Sequence, residues 1–245
     1  MQRALFLVTG TSRGIGDALA RRLQQEGHTV LGVSRREPDL PPSGSYHHLG
    51  FDLTRTSRVG EIVDRLETLY RAGDFDLVCL VNNASATEPV GPIERCPAAE
   101  IEAHLQIGLL APMLLTSRFM ERFSGEAVRK KVAFISSGVA FRALPDESVY
   151  CTAKAGLHMF AQCLGLEQQD RDGGFEIVSI GPGMVDTDMQ QTVRSKSSEE
   201  FAMADFFKQA HAEGKLQDPA AVAGKILAIL ERRTEQGQYV SVTDV

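Results

Sequence analysis

Seven short apolar runs alternate with segments of helical periodicity along this chain, and that alternation constrains the fold more than any other feature of the sequence. The runs are ALFLV (4–8), TVLGV (29–33), a weaker stretch around His48 to Phe51, DLVCLV (76–81), KVAFIS (131–136), FEIVSI (175–180) and QYVSV (238–242). Helical spacing of apolar residues marks 14–27, 57–73, a long region over 97–123, a segment through Tyr150 (149–169) and 218–233. Apolar strands that alternate with helices pair in parallel through right-handed crossovers, since each helix returns the chain over one face of the sheet. The expectation is an α/β fold, a doubly wound parallel sheet of about seven strands with helices on both faces. At 245 residues the chain fits one large domain (1–245) and is tight for two. The turn-rich PDLPPSGS (38–45) reads as a surface loop rather than a domain boundary.

No apolar run approaches the roughly 20 residues of a membrane span. The opening apolar segment, Ala4 to Val8, is too short for the core of a signal peptide, so a cytoplasmic protein is expected. The formal net charge is −6, and the one basic run, Arg129-Lys130-Lys131, is read as a solvated loop ahead of the fifth strand. Neither nucleic acid nor a membrane is therefore expected as a partner. Cys79, Cys96, Cys151 and Cys163 form no CxxC pair and no cluster with histidine, which points to reduced, partly buried thiols and no metal site.

The first strand runs directly into TGTSRGIG (9–16), and its glycines lie between a strand and a helix, where a dinucleotide pyrophosphate would rest. Gly10 permits the tight turn, Gly14 allows backbone to approach phosphate, and Gly16 allows the helix to pack close to the sheet; Ser12, Arg13 and Ile15 complete the loop. The spacing is GxxxGxG, not the commoner GxGxxG. Where a carboxylate would select NAD at the end of the second strand, the chain has Ser34-Arg35-Arg36, with Arg13 in the loop. Guanidinium groups pair with a 2′-phosphate, so NADP(H) is the expected cofactor, although Glu37 keeps open a set of merely solvated arginines. Asp52 and Leu53, after the third strand, are placed at the adenine.

Asn82-Asn83-Ala84-Ser85 closes the fourth strand and Ser136-Ser137 the fifth, so both polar sets lie on the same sheet edge as the glycine loop. Tyr150 and Lys154, four apart on a helix, share one face, and Ser137 stands 13 residues before the tyrosine. A hydroxyl, a phenol and an ammonium can thus converge. The cation is expected to stabilise phenolate and move the phenol from its ordinary value of about 10 toward working pH.

These residues resemble the short-chain dehydrogenase/reductase family, whose fold is of Rossmann type. TGTSRGIG, Asp52, NNAS, ISS, YCTAK and PGMVDT occur in order over essentially the whole chain. The resemblance implies that Tyr150 exchanges the proton of the substrate carbonyl, Lys154 lowers its pKa and holds the nicotinamide ribose, and Ser137 positions the carbonyl. It places Asn83 and Ala84 beside the cofactor, and Pro182, Gly183, Val185 and Thr187 at the nicotinamide, with a plain structural turn and helix cap as a compatible role for that last segment. Ser85 replaces the family's usual glycine. Gly108 stands where the family usually has an asparagine that holds a helix kink and a water near the lysine. Glycine is expected to permit the same kink, with the relay re-formed through water.

Within the family, VDTDMQQTVRS and the C-terminal GQYVSVTDV look like sepiapterin reductases and the related bacterial benzil and diketone reductases. The expected reaction is NADPH-dependent reduction of one ketone of a vicinal dicarbonyl compound, with a pterin of the sepiapterin type favoured. Asp244 maps onto the aspartate that anchors the pterin, but it can equally be a solvated chain end. Met184 and Met189 are candidate substrate contacts, and segment 188–215, with Phe201, Met203, Phe206 and Phe207, is expected to line the substrate pocket in part. A diketone reductase with no pterin role is the alternative, and a dinucleotide-sensing protein of weak activity is the reading from another class. The helices around 97–123 and 149–169 carry apolar or small residues on more than one face, and by resemblance they pair into a homodimer.

Overall fold

The computed structural model describes residues 3–40 and 44–245; the middle of the 38–45 loop, 41–43, lies outside the described residues. Seven strands form one parallel sheet: β1 (Ala4–Thr9), β2 (Thr29–Ser34), β3 (Tyr46–Gly50), β4 (Leu77–Asn82), β5 (Arg129–Ile135), β6 (Phe175–Gly181) and β7 (Gln238–Ser241). Their order across the sheet is β3-β2-β1-β4-β5-β6-β7, so the direction of winding reverses between β1 and β4.

Every residue of β1, β2 and β4 is buried, as a strand covered on both faces requires. The period of two divides them: Phe6 and Val8 face one core, Leu5 and Leu7 the other. The first core is closed by α1 (Gly14–Gln25) and by Pro219–Glu231, through Leu19, Leu23, Ile226 and Leu230. The second is closed by α2 (Gly60–Arg71) and by helices within 98–168, through Ile62, Leu66, Leu115, Phe119 and Leu157. Each such side chain contributes on the order of 1.5–3 kcal/mol on leaving water.

The long helical region of 97–123 is three pieces: α3 (Ala98–Leu105), one widened turn of π-helix over Gln106–Leu110, and α4 (Ala111–Phe123). The widening centres on Gly108, so the helix deforms there without an asparagine side chain. The chain continues through α5 (Ser148–Gln168), two short helices in the 188–215 segment, α6 (Asp188–Arg194) and α7 (Ala204–Ala212), and then α8 (Pro219–Glu231), which Asp218 caps by accepting from Ala221 N at 2.9 Å. No described helix is long and apolar enough to cross a membrane. The cysteines are all free, and Cys163 is exposed rather than partly buried.

The basic run corrects the sequence reading. Arg129, Lys130 and Lys131 are the first residues of β5, not a solvated loop, and Lys131 is fully buried. Its Nζ donates to the carbonyls of Leu230 (2.9 Å) and Arg232 (2.5 Å) at the C-terminal end of α8, and it lies 3.2 Å from Glu176, which Arg129 also pairs. A helix C-terminus leaves carbonyls without intrahelical donors, and a cation placed there satisfies them. Lys130 donates to Glu126 O, in the loop after α4's end at Phe123, at 2.7 Å.

Candidate active site

The switch between β1 and β4 opens a crevice at the carboxyl ends of the strands, and the glycine loop fills its floor. Asn83 fastens the two strand ends: its backbone N–H donates to Thr9 Oγ1 (3.0 Å) and its Nδ2 to Thr9 O (2.8 Å). Gly10 (φ 78°) turns the chain where a Cβ would come 2.9 Å from Ala84 Cα, and a Cβ at Gly16 would come 2.2 Å from Gly10 O. Side chains are therefore excluded at both points, which holds the start of α1 against the sheet. Arg13, the extended N-cap of α1, supplies no side-chain acceptor, so the first-turn N–H groups face the crevice uncapped. This cradle of free N–H groups at a helix N-terminus fits a pyrophosphate.

A cleft of about 790 Å³ runs from this loop along the sheet edge, within the roughly 300–1,000 Å³ of small-molecule sites. Gly10, Ser12, Arg13, Gly14, Ile15, Ser34, Arg35, Asp52, Leu53, Asn83 and Ala84 line one end. Ser137, Tyr150, Lys154, Pro182, Gly183, Met184, Val185, Thr187 and Met189 line the other. Gly16 sits beneath the loop, and Arg36 lies outside the lining although it was a candidate contact. Ser34 Oγ donates to Arg36 O at 2.7 Å, and Arg13 pairs with Asp188 at 3.2 Å. Asp52 Oδ1 accepts from the N–H (3.0 Å) and the hydroxyl (2.9 Å) of Thr54. The Thr54 backbone bond chiefly, with Arg35 nearby, holds this carboxyl below its ordinary range. Thr187 caps α6 by accepting from Gln190 N at 3.4 Å.

The helix α5 begins beside β5, which brings Ser137 and Tyr150 together. Burial pushes the Tyr150 phenol up to about 12, against the Ser137 hydrogen bond, which favours phenolate. In this structure burial sets the acidity of the phenol, with the Ser137 hydrogen bond opposing it. Lys154 Nζ lies 5.6 Å from the Tyr150 ring centroid and donates to Ile135 O at 2.9 Å, and burial brings its own pKa down to about 8. At neutral pH the phenol keeps its proton, the state a proton donor needs.

His104, unremarked in the sequence, is fully buried beside Gly108 and meets Tyr150 edge to face at 5.9 Å. Its Nδ1 donates to Glu88 O (2.8 Å), which leaves Nε2 as an acceptor without a partner; a Cβ at Gly108 would lie 3.9 Å from that atom. Burial, with the Lys154 charge adding, keeps the imidazole below its ordinary pKa. Glu147 was also missed: it is buried, lines the cleft three residues before Tyr150, and burial raises its carboxyl to about 7. Its signal was the i,i+3 spacing to Tyr150.

The wall opposite Tyr150 is apolar. Met189, Met203, Phe206 and Phe207 of the 188–215 segment line it, whereas Phe201 packs into a small core with Val193 and Ala204. Ser85, at the end of the NNAS run, adds a buried hydroxyl without a partner. Asp244 does not line the cleft: it is exposed in the short turn after β7, where its carboxylate accepts from Thr243 Oγ1 at 3.3 Å.

Comparison with known proteins agrees with this geometry. The family model described as short chain dehydrogenase matches residues 4–198. Benzil reductase ((S)-benzoin forming) of Bacillus subtilis is 33% identical over 243 residues, covering 98% of each chain. Sepiapterin reductase of Meriones unguiculatus is 28% identical, covering 98% of this chain and 97% of its own. The crystal structure of the KRED1-Pglu enzyme superimposes with a TM-score of 0.83 at 26% identity, over 97% of this chain and 100% of that one. A glycine loop at the switch point, a Ser, Tyr and Lys meeting on the same edge, and this likeness along the sequence lead to one conclusion: the chain belongs to the short chain dehydrogenase family, oxidoreductases of carbonyl and alcohol groups that use a nicotinamide dinucleotide.

Proposed function

We propose that this protein is a cytoplasmic NADPH-dependent carbonyl reductase that converts one ketone of a vicinal dicarbonyl compound to an alcohol, with an aryl diketone as the favoured substrate class. The observation that carries this reading is the meeting of Ser137, Tyr150 and Lys154 at one end of a cleft whose opposite wall is methionine and phenylalanine. A flat aromatic diketone suits that wall. The pterin alternative depends on Asp244, which is exposed outside the cleft, and the relatives named benzil reductase are the more similar in sequence.

The glycine loop and the start of α1 would hold the pyrophosphate, Asp52 and Leu53 the adenine, and Arg13 and Arg35 a 2′-phosphate. Segment 182–187 would face the carboxamide. The bound cofactor supplies hydride to the carbonyl carbon. Ser137 orients the carbonyl, Tyr150 gives its phenolic proton to the oxygen as negative charge develops there, and the Lys154 ammonium stabilises the phenolate left behind. The apolar wall keeps water from the substrate's face.

The test follows NADPH absorbance with benzil and with sepiapterin, using NADH, Tyr150→Phe and Asp244→Ala as controls. The expected outcome is fast oxidation with benzil, slower with NADH, reduced about 10²–10⁴-fold in Tyr150→Phe and unchanged in Asp244→Ala. Turnover confined to sepiapterin and weakened by Asp244→Ala would restore the pterin reading. NADPH binding equal in both tyrosine forms, with no oxidation by either, would leave a dinucleotide-binding protein.

A further inference from the structure

Glu147 occupies the N-cap position of α5, where a carboxylate ordinarily accepts from the first-turn N–H groups. It makes no such bond. The residue is 8% exposed and belongs to the cleft lining, and its side chain makes no hydrogen bond or ion pair with any described residue. Its carboxyl oxygens are not among the fully enclosed polar atoms that lack a partner, so they open onto the cleft, where a largely apolar surround disfavours the charged form. No neighbouring group pairs with it. Tyr150 and Cys151 lie on the same helix, Lys154 one turn on, and Arg142 and Asp146 on the preceding loop; Ser137 comes from the end of β5. Burial alone sets its titration, with no basic group contributing. The opposite wall is formed by Met189, Met203 and Phe206, and the one ionisable lining residue of that segment, Asp188, is paired with Arg13.

Glu147, the N-cap of α5, and Tyr150 in its first turn both line the cleft, close enough for the charge of one to act on the other. Two hydrogen-bond donors so placed match two neighbouring oxygens on one substrate. We propose that the Glu147 carboxylic acid donates a hydrogen bond to the second carbonyl oxygen of the substrate while Tyr150 serves the first, and that this pair selects a 1,2-dicarbonyl over a simple ketone. The inference rests on the carbonyl-reductase reading and names what that reading leaves open, the group that recognises the non-reacting carbonyl. No covalent bond is made or broken at Glu147, which keeps its proton throughout. The donor is present below a pH of about 7 and is lost as pH rises through it. An ionised carboxylate would then repel the same oxygen.

The experiment measures kcat/KM for benzil and for a monoketone of the same carbon skeleton with one carbonyl replaced by methylene. Wild type, Glu147→Gln and Glu147→Leu are compared between pH 6 and 8, with a thermal melt confirming that each variant is folded. Glu147→Leu should lose roughly tenfold on the diketone and little on the monoketone, the scale of one hydrogen bond. Glu147→Gln keeps an N–H donor, so it should retain most diketone activity and lose the decline that wild type shows as pH rises through about 7. Equal losses on both substrates, no loss in the leucine variant, or parallel pH profiles for wild type and the glutamine variant would each overturn the inference while leaving the reductase reading intact. If wild type reduces neither ketone, both fall.

Discussion

Lys154 is an ammonium in a site that disfavours charge. Burial lowers its pKa to about 8, against about 10.5 in the unfolded chain. Between those two values the unfolded chain binds more protons than the folded one, so stability rises with pH across that window. Below about 8 the full penalty is present, on the order of 3 kcal/mol from 1.36 kcal/mol per unit. Lys154→Met should therefore unfold at higher urea concentration than wild type at pH 7, with the gap narrowing toward pH 10, while turnover is lost. A variant less stable than wild type at pH 7 would mean that the bond to Ile135 O outweighs the desolvation. At this scale the sequence was informative about the reacting groups, because strand ends and an i,i+4 pair fix where Ser137, Tyr150 and Lys154 point. It did not give the effect of burial on their acidity: the raised phenol and the lowered ammonium both come from burial by residues distant in the chain.

Among the elements, β5 and α8 show how a charge run misleads. Arg129-Lys130-Lys131 reads as a solvated stretch only if nothing in the fold needs cations there. The C-terminal carbonyls of α8, 98 to 101 residues further along, and Glu176 on β6 need them. Lys131→Ala should destabilise the protein by about 3 kcal/mol in urea unfolding, since it leaves buried carbonyls and part of a buried carboxylate unpaired. A loss below about 1 kcal/mol would show that water enters and replaces the ammonium. The helix through Gly108 is the converse case. Its periodicity revealed one long helix, but the widened turn over Gln106–Leu110 and the burial of His104 against Tyr150 depend on how α5 packs across it.

For the whole molecule, α5 and the start of α4 with the turn before it carry several exposed apolar side chains. Leu110 and Leu114 stand one turn apart, and Met159, Cys163 and Leu166 follow at spacings of four and three; Met159 is 58% and Leu166 74% exposed. Large exposed side chains on two adjacent helices support the expected homodimer. Light scattering should give twice the monomer mass for wild type and the monomer mass for Met159→Glu; a monomeric wild type would sink the expectation. The alternation of apolar strands and amphipathic helices determined the sheet, its parallel winding and the edge on which the site lies, because strand and helix periods are local and right-handed crossovers leave little choice. The glycine loop, the Ser, Tyr and Lys, and the apolar 188–215 segment were legible for the same reason. Only the tertiary structure could decide that Asp244 stays outside the cleft, that Glu147 turns into it, and that Lys130 and Lys131 at the head of β5 are buried. Those outcomes depend on which distant backbone and side-chain groups come to surround each residue, and burial has no period in the sequence.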